Sequence, residues 1–312
     1  MTNRSHALPK GYLIKGYRIE KVIGGGGFSL VYLATRLDTL EQVAIKEYLP
    51  AALAMRVETG RVEPMSEQRG TSYRQGIKRF FDEGAAISKV NHPNIVRVTN
   101  FFRANNTVYM VMVYEHGKDL RWYIKRHNGR LSERFLRTML PPLLAGLDEL
   151  HSNKLLHLDV KPANIFLRSG ANPLLLDFGA AQGPALGNEF GPNTLTPGFA
   201  PIEQHQKGVL GPATDLYAVG ASIYSCMTGR APPTATERFA KDKYKPAART
   251  LARRYSQRLL EGVDWCMQMQ AEARPQSVAE LLAHIGTEIA EDAPNSFVDY
   301  FTRPIRLPWS KG

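Results

Sequence analysis

Segment 71–90 is the feature that most restricts how this chain of 312 residues can fold. Its apolar side chains recur at helical spacing, so the segment is predicted to form an amphipathic helix. Those side chains belong to Tyr73, Ile77, Phe80, Phe81, Ile87 and Val90. Glu83 falls on the same apolar stripe, where an unpaired carboxylate would cost several kcal/mol. We therefore expect Glu83 to pair with a cation on a neighbouring strand.

The rest of the chain divides into a strand-rich part and a helical part. Alternating or apolar runs predict strands over 17–23, 30–35, 43–46 and 108–114. Apolar residues at helical spacing in 140–151, and an almost wholly apolar run in 216–227, predict helices in the second half. The fold class is therefore predicted to be α+β, with a small antiparallel sheet, one key helix and a larger, mainly helical part.

Length and composition are those of a globular protein. A chain of 312 residues, of which 43% are hydrophobic, can bury a large core in one two-lobed domain or two small ones. It contains no apolar stretch of membrane-spanning length, and residues 1–15 lack the apolar core of a secretory signal. The two cysteines, Cys226 and Cys266, lie in apolar segments and are expected to be buried free thiols in a reducing compartment. These observations favour a cytoplasmic location.

The formal net charge of +11 favours acidic partners, among them nucleotides, acidic substrate segments, anionic lipid and nucleic acid. The alternative is a solvated basic surface. Basic clusters in 241–245 and 249–258 are interrupted by acidic or apolar residues, and no RNA-binding or helix-turn-helix signature accompanies them. No specific nucleic-acid partner is expected.

Chemically, the most informative motif is His-Leu-Asp-Val-Lys-Pro-Ala-Asn at 157–164, followed by Asp-Phe-Gly at 177–179. Asp159 could orient and deprotonate an attacking hydroxyl, and Lys161 could neutralise charge on a phosphoryl group in transfer. Asn164 and Asp177 could hold Mg²⁺ on nucleotide phosphates. The spacing therefore points to metal-assisted phosphoryl transfer.

Four glycines at 24–27 lie between the first two predicted strands. Glycines there would let the backbone fold closely over phosphates and offer them main-chain amides. A plain hairpin turn is the alternative reading of the same residues.

In this order, the motifs resemble those of eukaryotic-like (Hanks-type) Ser/Thr protein kinases, over about residues 17–282. The resemblance implies a two-lobed protein kinase fold, with an extension at 1–16, an N-lobe at 17–113, a C-lobe at 114–290 and a tail at 291–312. An insert at 47–70 opens with Glu-Tyr-Leu-Pro and is similar to that of a bacterial group of these kinases. We expect the insert to pack over the amphipathic helix and fix its position.

The resemblance also implies a phosphate-binding site. Gly24 and Gly26 match the first two glycines of the kinase loop, while Ser29 replaces the third. Lys46 matches the lysine that contacts the α and β phosphates of the nucleotide, and Glu83 matches its ion-pair partner.

An adenine site follows from the same resemblance. Met112 would lie behind the adenine, and the hinge residues from Val113 to Glu115 would offer it backbone hydrogen bonds. Without the flanking motifs, this segment would equally well be the edge of a buried strand. The apolar walls would be formed by Val31, Ala44 and Phe166.

Four further positions of the kinase pattern fall in the second half. Thr196 corresponds to the threonine beside the catalytic aspartate and lysine, and so favours Ser/Thr over Tyr substrates. Glu203, in Pro-Ile-Glu where the family has Ala-Pro-Glu, would pair with Arg274. Asp215 would either brace the catalytic loop or cap the helix that follows it.

The function implied is transfer of the γ-phosphoryl group of MgATP, with Mn²⁺ as an alternative metal, to Ser or Thr hydroxyls of protein substrates. The implied protein substrates include the kinase itself. Leu158 stands where many kinases have an arginine that binds the phosphorylated activation loop, so activity is predicted not to depend on that modification.

Three other functions remain compatible with the sequence. A catalytically silent, nucleotide-binding pseudokinase scaffold would share the fold, as would a small-molecule kinase. A nucleic-acid-binding protein would instead account for the net charge, and would bind in a salt-dependent way without ATP. The tail at 294–312 is aromatic and proline-containing, and either docks on the C-lobe or serves a partner.

Overall fold

Residues 3–177, 195–206 and 208–286 are described by the computed structural model of the protein. The chain divides into two compact units. The first comprises Met1–His92 and Val96–Glu115, and the second comprises Pro93–Ile95 and His116–Gly312. Phe178, Gly179, Thr194 and the tail at 291–312 lie outside the described residues.

The first unit is built on an antiparallel sheet of six strands, in the order β1-β2-β3-β4-β8-β7. The strands are β1 (Leu13–Ile14), β2 (Tyr17–Gly25), β3 (Ser29–Arg36), β4 (Gln42–Tyr48), β7 (Val98–Ala104) and β8 (Thr107–Val113). The central strands β4 and β8 are buried along almost their whole length. This burial fits the apolar sequence of β8, whereas in β4 it includes the charged residues Lys46 and Glu47.

Helix α1 spans Glu67–Ile87 and is the predicted amphipathic helix, shifted towards the N-terminus. It begins four residues earlier than predicted, and Val90 lies beyond its end although it is buried. Phe81, one of the apolar residues at helical spacing, is 41% exposed and packs at the surface against Phe101.

Much of the predicted insert at 47–70 is ordered structure that continues the sheet and leads into α1. Glu47 and Tyr48 complete β4, and a hairpin of β5 (Ala54–Arg56) and β6 (Val62–Pro64) follows. The hairpin is joined to the turn before β8, since the N–H of Val62 donates to the carbonyl of Asn105 at 2.8 Å. The insert therefore belongs to the same unit as α1.

The second unit is mainly helical. Its helices are α2 (Leu120–Arg126), α3 (Glu133–Ser152), α4 (Ile202–His205), α5 (Pro212–Thr228), α6 (Ala235–Ala240), α7 (Ala247–Thr250), α8 (Gln257–Cys266) and α9 (Val278–Ile285). Helix α5 is buried from Ala213 to Met227, so its apolar composition reflects a central position in this unit. Helix α3 starts about two turns before the predicted start, capped by Ser132, whose side chain accepts from the N–H of Phe135.

A small antiparallel sheet holds the functional loop of this unit. Its strands are β9 (Lys118–Asp119), β10 (Ile165–Arg168) and β11 (Asn172–Leu175), in the order β11-β10-β9. Segment 157–164 lies between α3, which ends at Ser152, and β10, so the loop leads directly into a paired strand.

Both cysteines are buried free thiols, as predicted, one in α5 and the other at the end of α8. Burial raises the pKa of the Cys266 thiol to about 12 and that of Cys226 further, so both remain protonated at neutral pH. Across the described ranges, helices with the length and apolarity needed to cross a membrane are absent.

Candidate active site

Lys46 and Glu83 form the ion pair that the sequence predicted within the first unit. Lys46 Nζ lies 3.8 Å from Glu83 Oε1, and both side chains are at most one-tenth exposed. The ammonium group also lies 5.4 Å from the centroid of the Phe80 ring, which adds a cation–π contact. The pair joins strand β4 to helix α1 and offers a positive charge at the surface of the sheet.

The predicted residues of the nucleotide site on this sheet share one face. Val31 is directly opposite Lys46, and Ala44 is directly opposite Met112. Because cross-strand partners point to the same side and alternate residues along a strand do so too, all four side chains lie on one face. Phe166 belongs to the second unit, where it is half-buried on β10.

The glycine-rich turn between β2 and β3 is closed by a hydrogen bond from the N–H of Gly26 to the carbonyl of Ser29, at 2.9 Å. Gly24 lies in β2, opposite Val31. The position that requires glycine is Gly25, because its φ is +150° and a Cβ there would lie 2.9 Å from a methyl group of Leu30. Sequence matching to Gly24 and Gly26 did not identify this residue.

The predicted hinge begins at Val113, the last residue of β8. Its N–H donates to the carbonyl of Arg97 at 3.0 Å, so this donor is used within the first unit. The predicted backbone hydrogen bonds to adenine would therefore come from the carbonyl of Val113 and from Glu115, which is half-buried.

Asp159, Lys161 and Thr196 form a closed set of hydrogen bonds in the second unit. Lys161 Nζ lies 2.9 Å and 2.7 Å from the two carboxylate oxygens of Asp159. Thr196 Oγ1 accepts from Lys161 Nζ at 2.8 Å and donates to Asp159 Oδ1 at 2.8 Å. The three groups are partly accessible, so a hydroxyl could approach the Asp159 carboxylate while Lys161 supplies positive charge beside it.

The side-chain amide of Asn164 is held in place by Asp159. Its Nδ2 donates to the carbonyl and to Oδ2 of Asp159, both at 2.9 Å, so its Oδ1 is directed elsewhere. The N–H of Leu176 donates to the Asn164 carbonyl at 2.8 Å, which brings Asp177 into the same neighbourhood. Asp177 is exposed and has a left-handed backbone with φ 57°.

An amide oxygen and a carboxylate suit Mg²⁺, which usually takes one or two protein ligands together with substrate phosphates and water. Within the described ranges, no cluster of three or more His, Cys, Asp or Glu side chains offers a separate metal site. The donor set therefore fits a metal brought in with a nucleotide better than one held by the protein alone.

Asp215 braces the loop rather than capping a helix, which decides between the two readings of the sequence. Its carboxylate accepts from the N–H of His157 at 2.9 Å and from the N–H of Leu158 at 2.7 Å, and it also binds His151 Nε2 at 2.9 Å. Burial by itself would raise the pKa of Asp215. The hydrogen bonds from His151 and from the backbone of His157 outweigh that effect and hold the pKa of Asp215 below its usual range. A buried carboxylate thus fixes the backbone just before Asp159.

His157 supports the same loop as a neutral side chain. Its Nε2 lies 3.2 Å from the Leu176 carbonyl, and its Nδ1 lies 3.3 Å from the backbone nitrogen of Asp159. The first contact needs a protonated Nε2 and the second an unprotonated Nδ1, so both fit one neutral tautomer. Complete burial lowers the pKa of His157 despite the nearby carboxylates, which agrees with this assignment.

Glu203 and Arg274 form the buried ion pair predicted for the end of the activation segment. The two guanidinium nitrogens lie 2.6 Å and 3.1 Å from the two carboxylate oxygens, and the Arg274 side chain is fully buried. Arg274 also lies 4.9 Å from the centroid of the Tyr217 ring. Next to Glu203, Gln204 Nε2 donates to the carbonyl of Leu158 at 3.0 Å, which links this segment to the loop.

Comparison with known proteins agrees with this arrangement. The protein kinase domain family matches residues 17–285. The chain is 29% identical over 218 residues to serine/threonine-protein kinase PrkC of Bacillus subtilis strain 168, covering 69% of this chain and 31% of that protein. It is 32% identical over 228 residues to serine/threonine-protein kinase pkn3 of Myxococcus xanthus, covering 69% and 38% of the two chains.

A solved structure, the apo form of PpkA-294, is similar over 90% of this chain and 100% of its own, with a TM-score of 0.83 and 32% sequence identity. This likeness confirms the predicted two-lobed fold. The chain spans less than two-fifths of the length of the two curated relatives named above. By its matched length and its serine/threonine kinase relatives, the chain belongs to the protein kinase domain family.

Proposed function

We propose that this domain transfers the γ-phosphoryl group of MgATP to Ser or Thr hydroxyls of protein substrates, itself included. The observation that carries the proposal is the set of hydrogen bonds around Asp159, in which Lys161, Thr196 and Asn164 all contact one carboxylate. In an isolated turn, three side chains would not contact one carboxylate in this way. The relatives named as serine/threonine kinases favour the same reaction.

In the proposed reaction, the substrate hydroxyl lies against the Asp159 carboxylate, which receives its proton as the oxygen attacks the γ-phosphorus. A bond forms between that oxygen and phosphorus, the bond to the β-phosphate oxygen breaks, and ADP leaves. Lys161 stabilises negative charge on the transferred group, and Lys46, positioned by Glu83, binds the nucleotide phosphates.

Nucleotide and metal are assigned to the predicted residues. Val31, Ala44, Met112 and Phe166 contact the base, with hydrogen bonds from Val113 and Glu115, and Gly24 to Gly26 cover the phosphates. Asn164 and Asp177 would hold Mg²⁺, with Mn²⁺ as a substitute, and the bound metal would neutralise phosphate charge. The buried free thiols agree with action in the reducing environment of the cytoplasm.

The test is transfer of labelled phosphate from MgATP to the protein itself and to a generic acceptor protein, by wild type and by Asp159→Asn. Acid hydrolysis then identifies the labelled residue. We expect phosphoserine or phosphothreonine from wild type only, because Asn has the same shape but cannot accept the proton. Absence of labelling by both proteins, with ATP still bound, would refute the proposal and favour a nucleotide-binding scaffold.

A further inference from the structure

A cavity of about 770 Å³ lies beside the proposed catalytic residues, within the second unit. Lys161 and Thr196 form part of its wall, so the cavity adjoins the place where the substrate hydroxyl would bind. Its other walls come from α2, from the loop residues Pro162 and Ala163, and from the end of α5 with the residues after it.

The lining of this cavity is basic. It includes Arg121, Lys125, Lys161 and Arg230, and the described lining residues include no acid. Two of these cations are already neutralised, since Arg121 pairs with Asp119 and Lys161 with Asp159, each at 2.7 Å.

Lys125 and Arg230 differ from the other two cations. Both side chains are exposed, and neither has a carboxylate partner among the described residues. They come from separate elements, one in α2 and one just after α5. Among the described residues, the cavity therefore carries two positive charges that no carboxylate neutralises.

The size of the cavity fits a short stretch of extended peptide. A space of about 770 Å³ is roughly 9 Å across, and an extended chain advances about 3.3 Å per residue. Side chains within about three positions of the acceptor hydroxyl could therefore reach it. Ala163 and Ser225, which also line the cavity, neither repel a carboxylate nor attract a cation.

We propose that this cavity binds Asp or Glu side chains that flank the acceptor Ser or Thr in the protein substrate, with Lys125 and Arg230 as the specificity-determining residues. The proposal rests on the kinase activity proposed above. Attraction to acidic flanking residues and repulsion of basic ones together select the substrate. Since the charges are exposed, the selection weakens as salt concentration rises.

The test uses three synthetic peptides with one Thr, identical except that the flanking positions carry Asp, Asn or Lys. Wild type is compared with the double variant Lys125→Glu/Arg230→Glu. A matched control, Arg249→Glu/Arg253→Glu, changes the net charge equally at two exposed arginines outside the cavity. This control separates the cavity from the general effect of the +11 net charge.

We expect wild type to prefer the Asp peptide over the Asn peptide by about tenfold in kcat/KM, mainly through KM. The variant Lys125→Glu/Arg230→Glu should lose or reverse this preference for the Asp peptide, and the control Arg249→Glu/Arg253→Glu should keep it. Binding of a fluorescent Asp peptide without ATP should follow the same pattern. If the double variant does not fold, the same measurements are made on the single neutral variants Lys125→Ala and Arg230→Ala.

Equal use of the three peptides by wild type, or equal loss of preference in the control, would overturn the inference while leaving the kinase activity intact. No transfer to any peptide or protein would refute the kinase activity itself. In that case, equal binding of the Asp and Asn peptides would refute the cavity assignment separately.

Discussion

The side chain of Tyr48, in β4, occupies the space that a Cβ on Gly76 of helix α1 would fill. The Tyr48 ring is buried and packs at 5.7 Å from the rings of both Tyr73 and Phe80. Phe80 in turn contacts Lys46. The start of the insert thus reaches the Lys46–Glu83 pair through one cluster of aromatic side chains.

Gly76→Ala should therefore destabilise the first unit by about 1–3 kcal/mol, because the added methyl group overlaps a rigid, buried ring. Gly70→Ala is the matched control in the same helix, since its Cβ would meet nothing closer than 3.5 Å. The gain in helix propensity should stabilise that variant by about 0.5–1 kcal/mol. Urea unfolding monitored by circular dichroism gives both values. Similar stabilities for the two variants would contradict the packing of Tyr48 against Gly76.

Arg56→Ala should be among the most damaging changes in the first unit. Glu47 is fully buried and accepts hydrogen bonds from Tyr32, Tyr109 and Arg56. Removing the only arginine in this set leaves a buried carboxylate without its cation, which costs about 3–5 kcal/mol. The free energy of unfolding measures this loss.

The control is Arg18→Ala, which breaks the solvent-exposed pair with Glu20. Its stability should stay close to that of wild type. A comparable loss of unfolding free energy in both variants would mean that the buried Arg56–Glu47 pair stabilises the protein no more than the exposed Arg18–Glu20 pair does.

Stability should fall as the pH drops below about 6.5, because the folded pKa of His157 lies below its ordinary value of 6.5. Below that pH the unfolded chain binds a proton that the buried imidazole does not, so unfolding becomes easier. Asp215 adds a further loss below its ordinary pKa of 3.8, since its folded pKa is also lowered. Unfolding free energies between about pH 8 and pH 5 should show a steeper slope for wild type than for His157→Gln. Equal slopes would show that His157 is not buried in the neutral form.

Thr194→Ala should leave the rate of phosphoryl transfer within about twofold of wild type. Thr194 lies outside the described residues, and the reason rests on Leu158, whose buried apolar side chain cannot bind a phosphate as arginine would. Thr196→Ala is the contrasting variant, because it removes contacts to both Asp159 and Lys161 and should lower the rate about tenfold or more. Initial rates on one acceptor protein compare the two. A large loss from Thr194→Ala would refute independence from loop phosphorylation.

Local patterns in the sequence identified four of the six strands of the main sheet and the helices α1, α3 and α5, but not strand β7. Helical spacing placed Glu83 on a buried stripe, and a buried charge requires a partner, so the pattern predicted a cation on a neighbouring strand. The resemblance to kinases identified that cation as Lys46. The predicted bounds of β2, β3, β4 and β8 lie within a few residues of the observed ones. This agreement arises because the pattern of burial along a strand follows the order of its apolar residues.

Only the tertiary structure decided features that depend on residues far apart in the chain. Only the structure shows that Gly25 is the glycine that the turn requires and that Phe81 lies at the surface. It also shows that the Asp215 carboxylate binds the N–H groups of His157 and Leu158. It also gathered Lys125 and Arg230 into one cavity from separate elements. Periodicity reports which face of an element is buried, whereas the partner that covers that face is set by packing of the whole unit.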